Sequence, residues 1–157
     1  MQVTDHHRSA LDDILRWRRD VRHFRPDPVD DAVLDRLRAR MDLAPSVGNA
    51  RPWRIVQVDS ARIRAQIIKN FEARNAEAAR DYDAETQREY LSLKLAGLRE
   101  APVHLAVFTD QDVSEGRGLG RQTMPETLTY STVMAVHTLW LAARAENIGI
   151  GWVSILD

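Results

Sequence analysis

The chain has 157 residues, the length of one domain with room for a real core. Lys and Arg number 22 against 23 Asp and Glu, a net charge of −1, so nothing draws the whole molecule to nucleic acid or an anionic membrane. The absence of cysteine excludes disulfides, thiolate metal sites and cysteine nucleophiles.

The N-terminal "MQVTDHHRSALDD" carries no apolar core of a signal peptide, and no apolar run reaches the roughly 18 residues of a membrane span, so a cytoplasmic protein is expected. In "SALDDILRWR", residues 9–18, Leu11, Ile14 and Leu15 recur at helical spacing, with Ser9 as a candidate N-cap and Asp12 and Asp13 in the first turn. A second amphipathic helix is expected between Pro28 and Pro45, where Val29, Val33, Leu37 and Met41 fall at steps of four. "WRIVQVD" alternates and is β-branched, a strand. Residues 61–99 read as two charged helices broken near Asp81–Asp83, and "VHLAVFTD" as a buried strand. "SEGRGLGRQTMPE" is a loop by its glycines and proline.

The stretch 131–146 is apolar on nearly every side, and a helix of that kind in a small domain buries one face in another subunit. Asn147 and Gly149 end it, and Gly149–Leu156 is expected to return as a strand, giving an α+β domain over residues 1–157. Termini are usually polar, so the apolar close "GIGIGWVSILD" predicts further chain beyond Asp157.

Local chemistry gathers in three places. "RRDVRHFRPDPVDD", residues 18–31, sets Asp20 among Arg18, Arg19 and Arg22, whose guanidinium forks suit phosphate oxygens. The same run also reads as a solvated turn whose arginines pair with Asp27, Asp30 and Asp31. "APSVGNARPW" offers backbone N–H groups, a hydroxyl and an amide in one turn, with Gly48 able to approach a ligand; an ordinary connection reads equally well. Gly116-x-Gly118-x-Gly120 lacks the spacing and context of a dinucleotide fingerprint and is either a lid or a surface loop. Histidines 6, 7, 23, 104 and 137 show no ligand spacing, so no metal site is expected, and His104 and His137 read as core residues. Ser154 has no nucleophile elbow around it.

Taken in order, "RRDVRHF", "APSVGNARPW", "GRGLGRQTMPETLTYS" and "GIGIGWVSILD" resemble the nitroreductase-like flavoproteins, and within them the 5,6-dimethylbenzimidazole synthase (BluB type) branch. The resemblance runs from about residue 12 to the end; Asp20 stands where general nitroreductases carry Ser. It implies a nitroreductase-like fold, a central mixed sheet flanked by helices, in an intertwined homodimer with flavin mononucleotide (FMN) at the subunit interface. Arg18, Arg19 and Arg22 would then hold the phosphate and ribityl end. Pro45, Ser46 and Asn49 would reach the flavin across the interface. Gly48 and Ser154 would lie at its reactive edge, and residues 116–130 would form the lid. Arg51 replaces the glutamine usual before Pro-Trp, and the family's C-terminal arm is not in this chain.

The implied reaction consumes reduced FMN as substrate. With O2 as co-substrate the ring is fragmented to 5,6-dimethylbenzimidazole, the vitamin B12 lower ligand, and a four-carbon sugar phosphate. Asp20 would be the catalytic base and Ser154 a positioning or proton-relay group, with a flavin reductase using NAD(P)H to supply the reduced flavin. The alternatives are an NAD(P)H-dependent FMN oxidoreductase of nitroreductase or cob(II)yrinic acid a,c-diamide reductase type, and a flavin-binding interaction module. Nucleic acid and membrane are not expected partners.

Overall fold

The computed structural model describes residues 2–78 and 95–156. The elements run α1 (Asp5–Trp17), α2 (Asp31–Met41), a 3-10 turn (Val47–Asn49), β1 (Trp53–Gln57), α3 (Ala61–Ala78), α4 (Leu95–Glu100), β2 (Leu105–Thr109), a second 3-10 turn (Glu115–Gly118) and α5 (Thr127–Ala145). The break expected near Asp81–Asp83 lies outside the described residues. Two compact units share the chain: the first is Met1–Arg19, Asp30–Val56 and Val107–Gly149, the second Asp20–Val29, Gln57–Ala106 and Ile150–Asp157. Neither is a continuous stretch of sequence.

In the first unit α5 is the central support. Leu128, Ala135, Leu139, Ala142 and Ala143 on it are buried, as are Leu37 and Met41 of α2. Helix α2 packs against α5. Glu146, just past α5, takes Arg36 at 3.2 Å and Arg40 at 2.6 Å, tying the end of α5 to α2. Asp30 caps α2, its Oδ1 accepting the Ala32 N–H at 2.8 Å. Helix α1 starts four residues before the expected Ser9 cap: Thr4 donates its N–H to His7 Nδ1 at 3.2 Å, with its Oγ1 2.6 Å from the same nitrogen.

In the second unit Phe71 of α3 is almost fully buried, and Arg99 of α4 pairs with Glu72 at 2.7 Å. Arg64 donates to the Val58 carbonyl at 2.7 Å and the Pro102 carbonyl at 2.9 Å.

The two strands pair with each other. The Asp110 N–H bonds the Pro52 carbonyl and the Val58 N–H the His104 carbonyl, so residue numbers rise on one strand as they fall on the other, an antiparallel ladder. The expected buried strand "VHLAVFTD" is not buried in this chain: Leu105, Val107 and Phe108 are exposed. A two-stranded ribbon has two edges and cannot cover itself. The expected C-terminal strand is likewise only a single parallel bridge, Asp20 with Ile150. His137, read from sequence as a core residue, is exposed, and so are Tyr130, Val133 and Met134 on the same helix.

Two groups make stability fall on acidification. Burial, reinforced by the Arg64 charge, lowers the pKa of His104 below 6.5, so the unfolded chain takes a proton there first. Hydrogen bonds from Arg36 and Arg40 lower Glu146 below 4.5, with the same sign. Both contributions are complete above the unfolded values. The melting temperature is therefore expected to drop as pH falls below 6.5 and again below 4.5, with Glu146→Gln flattening only the lower step in a thermal-melt series.

Candidate functional site

Arg18 leaves α1 in an extended conformation (φ −62°, ψ 134°) while its N–H still bonds the Ile14 carbonyl, which turns the chain out of the helix at the arginine run. Its guanidinium lies over the Trp140 ring, 5.1 Å from the centroid, and the Trp140 Nε1–H donates to the Arg19 carbonyl at 3.2 Å. One tryptophan of α5 thus seats two consecutive arginines. Trp140 was not among the expected site residues; a tryptophan inside an apolar helix, whose N–H needs a partner, was the available signal.

Among the described residues no carboxylate pairs with Arg18, Arg19 or Arg22. The pairing expected within this run is confined to Arg25 with Asp27 at 2.8 Å, while Asp30 is spent on its helix cap. The solvated-turn reading therefore holds for Arg25 and leaves Arg18 and Arg22 without a carboxylate among the described residues, while Arg19 Nη1 donates to the Arg16 and Arg18 carbonyls.

Asp20 opens the second unit. Its Oδ1 accepts the Trp152 N–H at 2.9 Å, and the Val21 N–H donates to the Ile150 carbonyl at 3.0 Å. The carboxylate is thus anchored to the segment that carries Ser154, itself exposed two residues beyond Trp152.

The 45–49 turn is stapled to the first turns of α5. The Val47 N–H donates to Ser131 Oγ at 3.0 Å, and that hydroxyl donates to the Thr127 carbonyl at 2.7 Å. Ser46 Oγ accepts the Arg51 N–H at 3.1 Å, closing the turn, and Val47 packs on buried Ala50, Val113 and Leu128. Ser131 is a second residue that the sequence expectations did not name.

Gly48 sits at φ +54°, and a Cβ there would lie 3.1 Å from the Gly116 carbonyl oxygen and 3.2 Å from that of Leu119. A Cβ on Gly116 (φ +73°) would come within 2.6 Å of the Gly48 carbonyl oxygen. The two glycines let the 47–49 and 115–118 turns lie backbone to backbone. Arg121 reinforces the second turn by donating to the Val113 carbonyl. Of the stretch 116–130 expected as a lid, the part from Thr127 onward is already helix α5.

Arg18, Arg19, Pro45, Ser46, Gly48 and Asn49 belong to the first unit, and Asp20, Arg22 and Ser154 to the second. Asn49 also borders an open cleft of about 460 Å³ with Arg38, Arg51, Trp53 and Arg54. Among the described residues no cluster of side chains could hold a metal ion.

Residues 15–157 match the nitroreductase family model. A 5,6-dimethylbenzimidazole synthase of Rhodobacter capsulatus is 60% identical over 157 residues, covering 100% of this chain and 76% of that protein. Its counterpart in Rhodospirillum rubrum is 57% identical over 150 residues, covering 96% of this chain and 71% of the other. The crystal structure of oxidised iodotyrosine deiodinase bound to FMN and 3-iodo-L-tyrosine aligns with a TM-score of 0.76 at 24% identity, covering 94% of this chain and 76% of that one.

Proposed function

The chain belongs to the nitroreductase family, and on that premise we propose that it is an enzyme that fragments reduced FMN, with O2, to 5,6-dimethylbenzimidazole and a four-carbon sugar phosphate. The observation that carries this reading is 60% identity to a 5,6-dimethylbenzimidazole synthase along the whole chain. We read residues 1–157 as one nitroreductase-like domain of a cytoplasmic protein; among the described residues no helix is long and apolar enough to cross a membrane.

The donor set fits a flavin phosphate. Arg18 lies over Trp140, whose N–H holds the Arg19 carbonyl; neither arginine has a carboxylate partner among the described residues, and Arg22 follows after Asp20 and Val21. When bound, reduced FMN supplies the carbon skeleton of the product and the electrons that reduce oxygen. The arginines hold the phosphate end. Asp20 is the general base that removes a proton from the ribityl carbon entering the new ring. Ser154 positions oxygen or relays a proton. Pro45, Ser46 and Asn49 reach the flavin across the subunit interface, Gly48 lies with Ser154 at its reactive edge, and a separate NAD(P)H-dependent flavin reductase supplies the substrate.

The test is to incubate the protein with reduced FMN and air and look for dimethylbenzimidazole by mass spectrometry. Flavin recycled without that product would instead establish a conventional oxidoreductase.

Charge-assisted bonds to phosphate contribute on the order of 1.5–3 kcal/mol each. Arg18→Ala and Arg22→Ala should therefore weaken FMN binding about 10- to 100-fold, by fluorescence titration, and leave riboflavin binding nearly unchanged. Equal losses for the two flavins would remove the phosphate assignment. The exposed Tyr130, Val133 and Met134 on α5 support a homodimer. Sedimentation should show dimers or a concentration-dependent mixture, and a compact monomer at all concentrations would contradict it.

A further inference from the structure

Within the second unit the segment from Asp20 to Phe24 is held from two sides. On one side run Ile150 to Trp152, through the Val21 N–H to the Ile150 carbonyl at 3.0 Å and the Trp152 N–H to Asp20 Oδ1 at 2.9 Å. Between these two bonds lies Gly151, where any Cβ would overlap the Val21 carbonyl oxygen and lie 3.4 Å from the Phe24 ring. On the other side is α4. Glu100 Oε2 accepts the Phe24 N–H at 2.9 Å and lies 3.5 Å from His23 Nδ1. Gly97, one turn earlier, gives room to the Arg22 carbonyl, which a Cβ would meet at 3.0 Å. The carboxylate of Glu100 is the side-chain acceptor for a backbone N–H 76 positions away in sequence, and it ties down the residue two beyond Arg22.

We propose that Gly151 and Glu100 are positioning residues that lock the Asp20–Phe24 segment, and with it the Asp20 carboxylate, in the register the flavin chemistry needs. The role rests on the reaction assigned above. Gly151 sets how closely the Ser154-bearing segment approaches Val21, next to Asp20. Glu100 fixes the far end of the segment at Phe24, so that the Asp20 end keeps its register against residues 150–152. Small displacements of groups that act on a bound substrate cost large factors in rate, while flavin affinity, carried by the arginines, depends on them less.

The experiment compares Gly151→Ala, Glu100→Ala and Glu100→Gln with the parent. Reduced FMN is mixed with air, dimethylbenzimidazole and hydrogen peroxide are both measured, and kcat and KM for reduced FMN are separated. Glu100→Ala and Gly151→Ala should shift the products toward peroxide, with dimethylbenzimidazole formation down about 10-fold or more and KM changed far less. Glu100→Gln keeps an acceptor for the Phe24 N–H and should restore most of the parent partition. Should Gly151→Ala fail to fold, the two Glu100 variants decide. Parent-like partition in Glu100→Ala, or equal loss in Glu100→Ala and Glu100→Gln, overturns the positioning role while leaving the reaction standing. A parent that forms no dimethylbenzimidazole overturns the reaction instead. The positioning role is then read from the visible circular dichroism of bound oxidised FMN, which Glu100→Ala must change and Glu100→Gln must preserve.

Discussion

Asp20→Asn is expected to bind FMN almost as the parent does and yet to form dimethylbenzimidazole about 10²-fold more slowly or worse, the usual order for a lost general base. The expectation is sharpened by what the carboxylate touches. Its Oδ1 accepts the Trp152 N–H, and an asparagine retains that acceptor, so the tie between residue 20 and the 150–152 segment survives the substitution. What is removed is the charge and the ability to take a proton. Oxygen should still consume reduced flavin, because its addition requires no carboxylate, and the products should be oxidised FMN and hydrogen peroxide. Asp20→Ala removes acceptor and base together and should in addition loosen the segment. If Asp20→Asn kept the parent rate while Asp20→Ala lost it, Asp20 would serve only as the anchor of the C-terminal segment.

Much of the framework was legible because its signals are local. Pro28 and Pro45 bracket α2, though its Asp30 cap reads from sequence as an arginine partner, and the glycines of "SEGRGLGRQ" mark a loop, since only particular residues tolerate those backbone angles. The start of α1 was missed because residues 5–8 carry no apolar periodicity; their helix is set by Thr4 and His7, an unusual pair for a capping box. Apolar runs misled in a different way. "VHLAVFTD" and the α5 stretch announce burial without saying what covers them, and Leu105, Phe108, Val133 and Met134 stay exposed in the single chain. The flanking supports of the candidate site were illegible for the opposite reason. Trp140 under Arg18, Ser131 under Val47 and Glu100 at Phe24 lie far away in sequence, and no spacing rule links them.

Gly116→Ala should open the contact between the two turns that border the candidate flavin site. A methyl group there would come within 2.6 Å of the Gly48 carbonyl oxygen, and both turns already sit at positive φ, so neither backbone can yield without leaving its conformation. The left-handed angle itself disfavours alanine by roughly 1–2 kcal/mol, which must be separated from the overlap. Gly118→Ala supplies the control: its φ of +76° is nearly that of Gly116 at +73°, but its Cβ would meet only the flexible end of Gln122, at 3.7 Å. Both variants should therefore lose similar intrinsic backbone stability in thermal melts. Gly116→Ala alone should also expose the 113–121 loop to limited proteolysis and divert reduced FMN to hydrogen peroxide, because a pocket that cannot exclude water does not retain its reactive species. If the two alanine variants matched in melting temperature, proteolysis and product partition, the backbone angle would account for everything and the contact between the turns would carry no function.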